Sequence, residues 1–296
     1  MSNGRIPSLA RKAGYEKSFM QIKITTLVDD QAAAADNSLI HEHGLAMIIQ
    51  TAHESILFDT GYSDALLKNA RQLGIDAGQI QKVIISHGHL DHAGGVKYLI
   101  DSNPCFTLMA HPGIFAKKII RSSGTSRTFG VSEDLPVLKK KGIRLDLQKQ
   151  AVMISENIMT TGHIPMETDF EKVESRFFTE ENGDVVPDLF EDEKALIIRT
   201  SPGTVVLLGC SHRGIINTLN HVAEVTGNDK IYAIMGGLHL GNAHPSKIEK
   251  VCNHLEKFDI DRIIVGHCTG IPAITEFIRK FGNKVEINSV GKTIEL

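Results

Sequence analysis

The chain has 296 residues, a length typical of one large domain or of two domains of ordinary size. Hydrophobic residues make up 42% of it, enough for a sizeable core, and the formal net charge of −3 comes without a long basic or acidic block. This balance argues against sequence-wide attraction to nucleic acid or to an anionic membrane, so we expect neither as a partner.

The chain begins with a polar segment, residues 1–19, which we expect to be a poorly ordered leader before a single domain over 20–296. It carries several charges and has no apolar stretch of signal-peptide length. No later segment approaches the roughly 18 apolar residues that cross a bilayer. The four cysteines include no CxxC pair, so a disulfide framework is not indicated, and we expect a reducing, cytoplasmic setting.

Short apolar runs and amphipathic stretches follow, separated by turn residues. Strands are predicted at 21–28, 44–50, 54–58, 82–86, 106–110, 143–147, 151–154, 194–200, 203–209, 230–235, 261–265 and 285–288. Helices are predicted at 63–74, 93–101, 112–121, 214–226, 246–258 and 271–281. Early strands follow one another directly, whereas later strands alternate with helices. The pattern therefore predicts two mixed sheets packed face to face, with helices on both outer faces.

The least regular part of the chain is 121–192, which is rich in Ser, Gly, Thr, Glu and Asp and is punctuated by three prolines. We interpret it as a loop-rich insertion in the domain. Long ordered loops in compact domains tend to be functional.

Four potential metal ligands follow the predicted strand 82–86: His87, His89, Asp91 and His92. Residues two apart in an extended segment point the same way, so His87 and His89 can bind one ion, while Asp91 and His92 complete that site or turn toward a second ion. Neutral imidazole with one carboxylate suits Zn²⁺ and also tolerates Fe or Mn, and Mg is a further candidate. We expect one or two divalent ions.

HGHLDH (87–92) fits the pattern HxHxDH, and the chain resembles the metallo-β-lactamase superfamily over residues 20–296. The resemblance implies an α+β fold, a four-layer αββα sandwich. In LFDTG (57–61) it implies that Asp59 is a catalytic residue that acts by orienting the metal-binding loop, and in IIVGHC (263–268) that His267 binds the second metal. Asp91 can act as a general base when it is not fully committed to metal.

Two further ligand positions depart from the family pattern. The resemblance places a further histidine of the first metal at His163 in TTGHIP (160–165). It places a bridging aspartate where this chain has Cys210, and His212 follows two residues later. Thiolate is a good zinc ligand but seldom a good bridge to a hard ion. The first metal can therefore take Cys210 or His212 as a ligand. The sequence is as compatible with one tightly bound ion and a second, weaker one as with a coupled pair of ions.

Other stretches resemble one branch of the superfamily, the proteins related to the archaeal dihydropterin–ribofuranosylaminobenzene phosphate synthase. They are EHGLAMII (42–49), CSHRGIINTL (210–219), GGLHLG (236–241) and HCTG (267–270). In that reaction an arylamine or aromatic ring attacks a pterin methylene and pyrophosphate leaves.

Within these stretches we expect His239 to be catalytic. We expect the substrate to be bound by His43, Gly237, Thr269 and His212. The helix predicted at 214–226 would offer its N-terminus to an anion.

The sequence thus favours a metal-dependent enzyme whose partner is a small anionic molecule, one that bears phosphate or pyrophosphate. The alternative is a metallo-hydrolase of a phosphodiester, thioester or lactone that uses metal-activated water. A third class, a redox diiron protein or a metal-binding regulatory module, is disfavoured in its redox form because the chain has His89 where diiron relatives carry Glu, and because it has no flavin domain.

Overall fold

The computed structural model describes residues 21–33, 36–122, 124–131, 134–228 and 230–296. The expected leader, residues 1–19, lies outside these residues. Among the described residues, no helix is both long enough and apolar enough to span a bilayer.

The strands, in chain order, are β1 Lys23–Val28, β2 Ala46–Gln50, β3 Ser55–Phe58, β4 Ile80–Ile84, β5 Thr107–Ala110, β6 Lys118–Ser122, β7 Thr125–Thr128, β8 Arg144–Leu147, β9 Ile158–Thr160, β10 Phe177–Glu181, β11 Asp184–Pro187, β12 Leu196–Arg199, β13 Thr204–Leu208, β14 Lys230–Gly236, β15 Asp259–Val265, β16 Val285–Ile287 and β17 Thr293–Glu295. The helices are α1 Ala65–Gln72, α2 Leu90–Ala93, α3 Val96–Ser102, α4 Asp134–Lys140, α5 Ile215–Thr226, α6 Pro245–Leu255 and α7 Ile271–Phe281.

Two mixed sheets form the body of the molecule. The first has the order β17-β1-β2-β3-β4-β5-β8, antiparallel up to β3 and parallel from β3 onward. The second has the order β16-β15-β14-β13-β12-β9, parallel from β16 to β13 and antiparallel beyond. The carboxyl ends of the parallel strands carry the predicted ligands other than His163, which follows the antiparallel strand β9.

The strands alternate between two cores. In β2, Met47 and Ile49 belong to the core between the sheets, whereas Ala46 and Ile48 pack with α1 and α3 on the outer face. In β13, Leu207 faces the central core and its neighbours face the core formed with α5, α6 and α7. Because both faces are buried, these strands are continuous apolar runs. The predicted four-layer αββα sandwich is confirmed.

The helix predicted at 112–121 is wrong. The chain forms a 3₁₀ turn at Pro112–Phe115 and then strand β6. Ile119 and Ile120 of β6 pair with β10, more than fifty residues later, and this long-range pairing overrides the local preference. The strand predicted at 151–154 is also wrong, since of those residues only Met153 makes a bridge, with Met159.

The segment 121–192 is more regular than its composition suggests. Together with β6 it supplies a four-stranded antiparallel sheet of order β11-β10-β6-β7, which we call the roof sheet. Phe177 of β10 packs with Ile120 and Phe190 in a small core beneath this sheet. The roof sheet covers the ends of β4 and β13, where the ligand residues lie.

Candidate metal centre and cavity

The loop after β4 holds two of the predicted ligands, His87 and His89, on a tightly packed backbone, and Asp91 and His92 follow in α2. A Cβ on Gly88, between His87 and His89, would lie 2.2 Å from the carbonyl oxygen of Ile114. Only glycine fits that approach. The Gly88 N–H donates to Oδ2 of Asp192 at 2.9 Å, which fixes the loop between its two histidines.

Asp59, at the end of β3, lies behind His92. Its Oδ2 is 2.7 Å from Nδ1 of His92 and accepts the Ser86 hydroxyl at 2.7 Å, while Oδ1 accepts the Ser86 N–H at 2.7 Å. Asp59 and His92 are both fully buried. A carboxylate on Nδ1 fixes the ring so that Nε2 faces the other ligand residues. The structure thus places Asp59 as an orienting residue, away from the cavity.

The last ligand residue, His267, is held by two aspartates that follow β1. Oδ1 of Asp30 lies 2.6 Å from Nδ1 of His267, and Oδ1 of Asp29 accepts its backbone N–H at 3.1 Å. The second oxygen of Asp30 lies 2.8 Å from Nδ1 of His43. Sequence reasoning missed both aspartates. The available signal was an Asp-Asp pair directly after a buried strand.

Four ligand atoms converge in one group: Oδ2 of Asp91, Nε2 of His92, Sγ of Cys210 and Nε2 of His267. The two nitrogens are 3.1 Å apart, and Sγ lies 3.1 Å from His92 and 3.3 Å from His267. Asp91 lies 3.6 Å and 3.5 Å from the same nitrogens. Ligands about 2.0–2.3 Å from a tetrahedral ion stand about 3.3–3.7 Å apart. The distances of 3.1–3.6 Å found here are close to that range, so a small inward displacement of the ligands separates this group from a Zn²⁺ site.

A second group comprises His87, Cys210 and His212, with ligand atoms within 4.8 Å of one another. The ring of His89 is 4.7 Å from that of His87 and 5.0 Å from that of His212. Nε2 of His87, Nε2 of His212 and Oδ1 of Asp91 are buried without a hydrogen-bond partner in the described part of the chain. Each unpaired buried atom costs about 1–3 kcal/mol, and a metal ion would remove that penalty.

His212 occupies its position because the turn after β13 is fixed on several sides. Glu193 accepts the N–H groups of His212 at 2.6 Å and Arg213 at 2.7 Å. The ring of Phe190 stacks on His212 at 3.8 Å. His163, by contrast, does not join either group of ligand atoms among the described residues. It is partly exposed, and its backbone N–H donates to Lys149.

Burial sets the protonation of three of the imidazoles. It lowers the pKa of His87 and His212 well below the usual range and lowers that of His89 to about 3. These rings are therefore neutral, the form that binds metal. Burial also raises the pKa of the Cys210 thiol well above its usual value. For Asp91, burial opposes ionisation, but His92 and His267 outweigh it and hold its pKa well below the usual range.

The predicted anion site at the N-terminus of α5 is wrong, because a carboxylate of the chain occupies it. Glu171 accepts the N–H groups of Ile216 at 3.0 Å and Asn217 at 2.9 Å. Gly237 and Thr269 are buried and do not line the cavity described next. A Cβ on Gly237 would lie 2.7 Å from Sγ of Cys268, so this glycine allows close packing.

A cavity of about 550 Å³ lies over the ligand residues. Its floor includes His89, Asp91, Cys210 and His212. The roof sheet and the residues that directly flank its strands contribute two cations and two rings to the walls of the cavity: Arg127, Arg176, Phe129 and Phe177. His43, Cys268 and the pair His239–Glu174 line it as well. Nδ1 of His239 lies 2.8 Å from Oε1 of Glu174.

A buried ion-pair network joins the roof sheet to the loop of ligands. Nζ of Lys118, in β6, lies 2.8 Å from Asp192 and 2.9 Å from Asp188. All three side chains are almost completely buried. Asp192 is also the residue that accepts the Gly88 N–H. The position of the roof sheet and the positions of His87 and His89 therefore both depend on the Asp192 carboxylate.

Residues 41–223 match the sequence profile of the metallo-β-lactamase superfamily. The chain is 33% identical over 284 residues to the 7,8-dihydropterin-6-methyl-4-(β-D-ribofuranosyl)-aminobenzene-5'-phosphate synthase of Methanocaldococcus jannaschii, with 93% of this chain and 96% of that protein covered. It is 27% identical over 272 residues to an uncharacterised protein of the same organism, covering 92% and 99%. A solved structure of a metal-dependent hydrolase of the β-lactamase superfamily superposes with a TM-score of 0.79 at 33% identity, covering 93% and 99%.

Proposed function

The chain belongs to the metallo-β-lactamase superfamily, and from that premise we propose that it is a zinc-dependent enzyme acting on a small, flat-ringed molecule that bears phosphate or pyrophosphate. The observation that carries the proposal is the convergence of Asp91, His92, Cys210 and His267 on one point beneath the cavity. The ligand set of imidazole, carboxylate and thiol favours Zn²⁺ over Mg²⁺ or Mn²⁺.

In the proposal the first group holds one ion through Asp91, His92, Cys210 and His267. A divalent ion held there supplies a Lewis acid for a phosphate or carbonyl oxygen. The chain's own residues contribute orientation, because Asp59 and Asp30 fix Nδ1 of His92 and His267 and leave each Nε2 facing the ion.

The walls of the cavity support an anionic substrate with a flat ring. Arg127 and Arg176 are the two cations that the roof sheet places there, and guanidinium groups bind phosphate through paired hydrogen bonds. Phe129 and Phe177 offer ring faces for stacking. The relative from Methanocaldococcus jannaschii makes a product with both features, a pterin and a 5'-phosphate.

His239 is the candidate group for proton transfer. Glu174 accepts from its Nδ1, which leaves Nε2 as the atom that can donate a proton to a leaving oxygen or remove one from a nucleophile. His239 holds a positive φ of 45° and its backbone N–H donates to Sγ of Cys268 at 3.3 Å, so the ring position is fixed by the backbone.

In the favoured reaction an arylamine or aromatic ring replaces pyrophosphate on a pterin methylene. The second candidate is hydrolysis of a phosphoester at the same centre, favoured by the likeness to a metal-dependent hydrolase.

The test is an assay of pyrophosphate release from a dihydropterin pyrophosphate by zinc-loaded protein, with and without an arylamine acceptor. Transferase activity predicts release that depends on the acceptor and that Asp91→Asn abolishes, while Cys105→Ser, at an exposed thiol, retains it. Release without an acceptor, together with cleavage of simple phosphodiesters, would favour the hydrolase. Zinc-loaded protein inactive on both substrates would contradict the proposal.

A further inference from the structure

Cys210 is the one side chain common to the two groups of ligand atoms beneath the cavity, whereas a third group in the described residues, Asp30, His43 and His267, does not include it. It follows β13 and is 3% exposed. The next residue, Ser211, has a positive φ of 58° and donates its hydroxyl to the Gly237 carbonyl at 2.9 Å. The backbone therefore fixes the direction of the thiol, which points between the two sets of histidines.

Hydrogen bonding alone does not explain the surroundings of this sulfur. Sγ of Cys210, Nε2 of His92 and Nε2 of His267 form a triangle with sides of 3.1, 3.1 and 3.3 Å. When both imidazoles are neutral and donate Nδ1–H to Asp59 and Asp30, both Nε2 atoms present lone pairs, and the single thiol proton can lie along only one side of the triangle, so at least one close contact between lone pairs remains. A cation at the centre of the ligand set removes that repulsion.

The opposite side of the sulfur faces unpaired nitrogens. Nε2 of His87 and Nε2 of His212 are buried, lack a partner within the described ranges, and belong to the group that includes the same sulfur. The rings of His87 and His92 are 4.2 Å apart, so the two groups are adjacent and Cys210 lies between them.

We propose that the Cys210 thiolate is shared by two metal ions, one held with Asp91, His92 and His267 and the other with His87, His89 and His212. The inference rests on the metal dependence proposed above. It replaces the bridging carboxylate of the superfamily pattern with sulfur, and it lets His212 take the position that the pattern assigns to a histidine at 163. Two ions that accept thiolate ligands, such as Zn²⁺, then share the negative charge of Cys210. Hard ions such as Mg²⁺ are excluded from this site.

The experiment is cadmium NMR of the full-length chain after removal of metal and addition of two equivalents of Cd²⁺, with bound metal counted after dialysis. Sharing predicts two resonances, both displaced to the range of sulfur-ligated cadmium. Cys210→Asp, which restores a carboxylate, should still bind two ions, with both resonances in the nitrogen–oxygen range. Cys268→Ser, at the neighbouring thiol, should keep both sulfur-displaced resonances.

Two bound ions with only one displaced resonance would overturn the sharing and leave the proposed function intact. Binding of a single ion would overturn it in the same way. A folded chain that binds no metal would overturn both proposals. The wild-type spectrum decides the question by itself if Cys210→Asp does not fold.

Discussion

Asp30 lies directly behind His267, with Oδ1 2.6 Å from Nδ1, and the two residues are 237 positions apart in the chain. The contact joins the end of β1 to the loop after β15, from one sheet to the other. It repeats, on the second sheet, the relation of Asp59 to His92. Two carboxylate–histidine pairs therefore aim two Nε2 atoms at the same point.

Replacing Asp30 with Asn should weaken metal binding. The amide keeps the shape but loses the charge that orients His267, and loss of such a partner lowers metal affinity by about 10- to 100-fold. The measurement is zinc affinity by competition with a chelator. Asp101→Asn, at a side chain that is 73% exposed, is the matched control and should leave affinity unchanged. Equal affinity in both variants would show that Asp30 does not orient the ligand.

Replacing Lys118 with Met should lower the free energy of unfolding of the protein. It would leave the buried carboxylates of Asp188 and Asp192 without their cation, a loss of about 3–5 kcal/mol in the free energy of unfolding. Lys117→Met removes a neighbouring but half-exposed ion pair, with Glu180, and should lose at most about 1 kcal/mol. Urea unfolding of both variants measures the difference. Similar losses would mean that the buried network does not hold the roof sheet.

Removing the cavity cations should weaken binding of inorganic pyrophosphate to the zinc-loaded protein. Arg127→Gln and Arg176→Gln each delete a charged hydrogen-bond donor, worth about 1.5–3 kcal/mol and so about 10- to 150-fold in Kd. Arg121→Gln is the control, because Arg121 belongs to the same sheet but stacks on Phe178 and does not line the cavity. Calorimetry that finds the three variants equal would contradict the anion-binding role.

Glu286, in the edge strand β16, should make a contribution to the stability of the protein that depends on pH. Hydrogen bonds from Arg262 at 2.7 Å and Lys292 at 2.8 Å lower its pKa from 4.5 to about 2. A folded-state pKa below the unfolded one stabilises the protein above pH 4.5, and that stabilisation is lost as pH falls through about 2.

Glu286→Gln should therefore be less stable than the wild type at pH 7, and the gap should close toward pH 2. Urea unfolding across this range is the measurement. A gap that stays constant with pH would mean that the charge of Glu286 is not the cause.

Much of the candidate site was predictable because its ligands are local in the sequence. His87, His89, Asp91 and His92 fall within six positions after one strand. Parallel strands place Cys210, His212 and His267 at the same edge of the sandwich, and the structure brings all seven side chains together.

The residues whose roles the sequence did not reveal contact partners that are far away along the chain. Asp30 shows its role only once β1 and β15 are placed, and Glu193 lies nineteen positions from the turn whose N–H groups it accepts. The predicted anion site at α5 is occupied by Glu171, which lies forty-five residues upstream of its partner Ile216. No local pattern contains these pairings.

The roof sheet was partly readable in the sequence. Asn182 and Gly183 both have positive φ, 54° and 91°, and join β10 to β11 by a two-residue turn. Asn-Gly between two extended runs is a strong hairpin signal. The strand β7 was not readable, because all four of its residues are exposed and polar and its position is set by pairing with β6.

Anomalous scattering at the zinc edge, from crystals of the protein purified without added metal or chelator, tests the central claim most directly. We predict a strong peak among Asp91, His92, Cys210 and His267, with zinc also found by elemental analysis of the same sample. A well-ordered structure with no anomalous peak there, even after soaking in zinc, would contradict the assignment of this cluster as a metal centre.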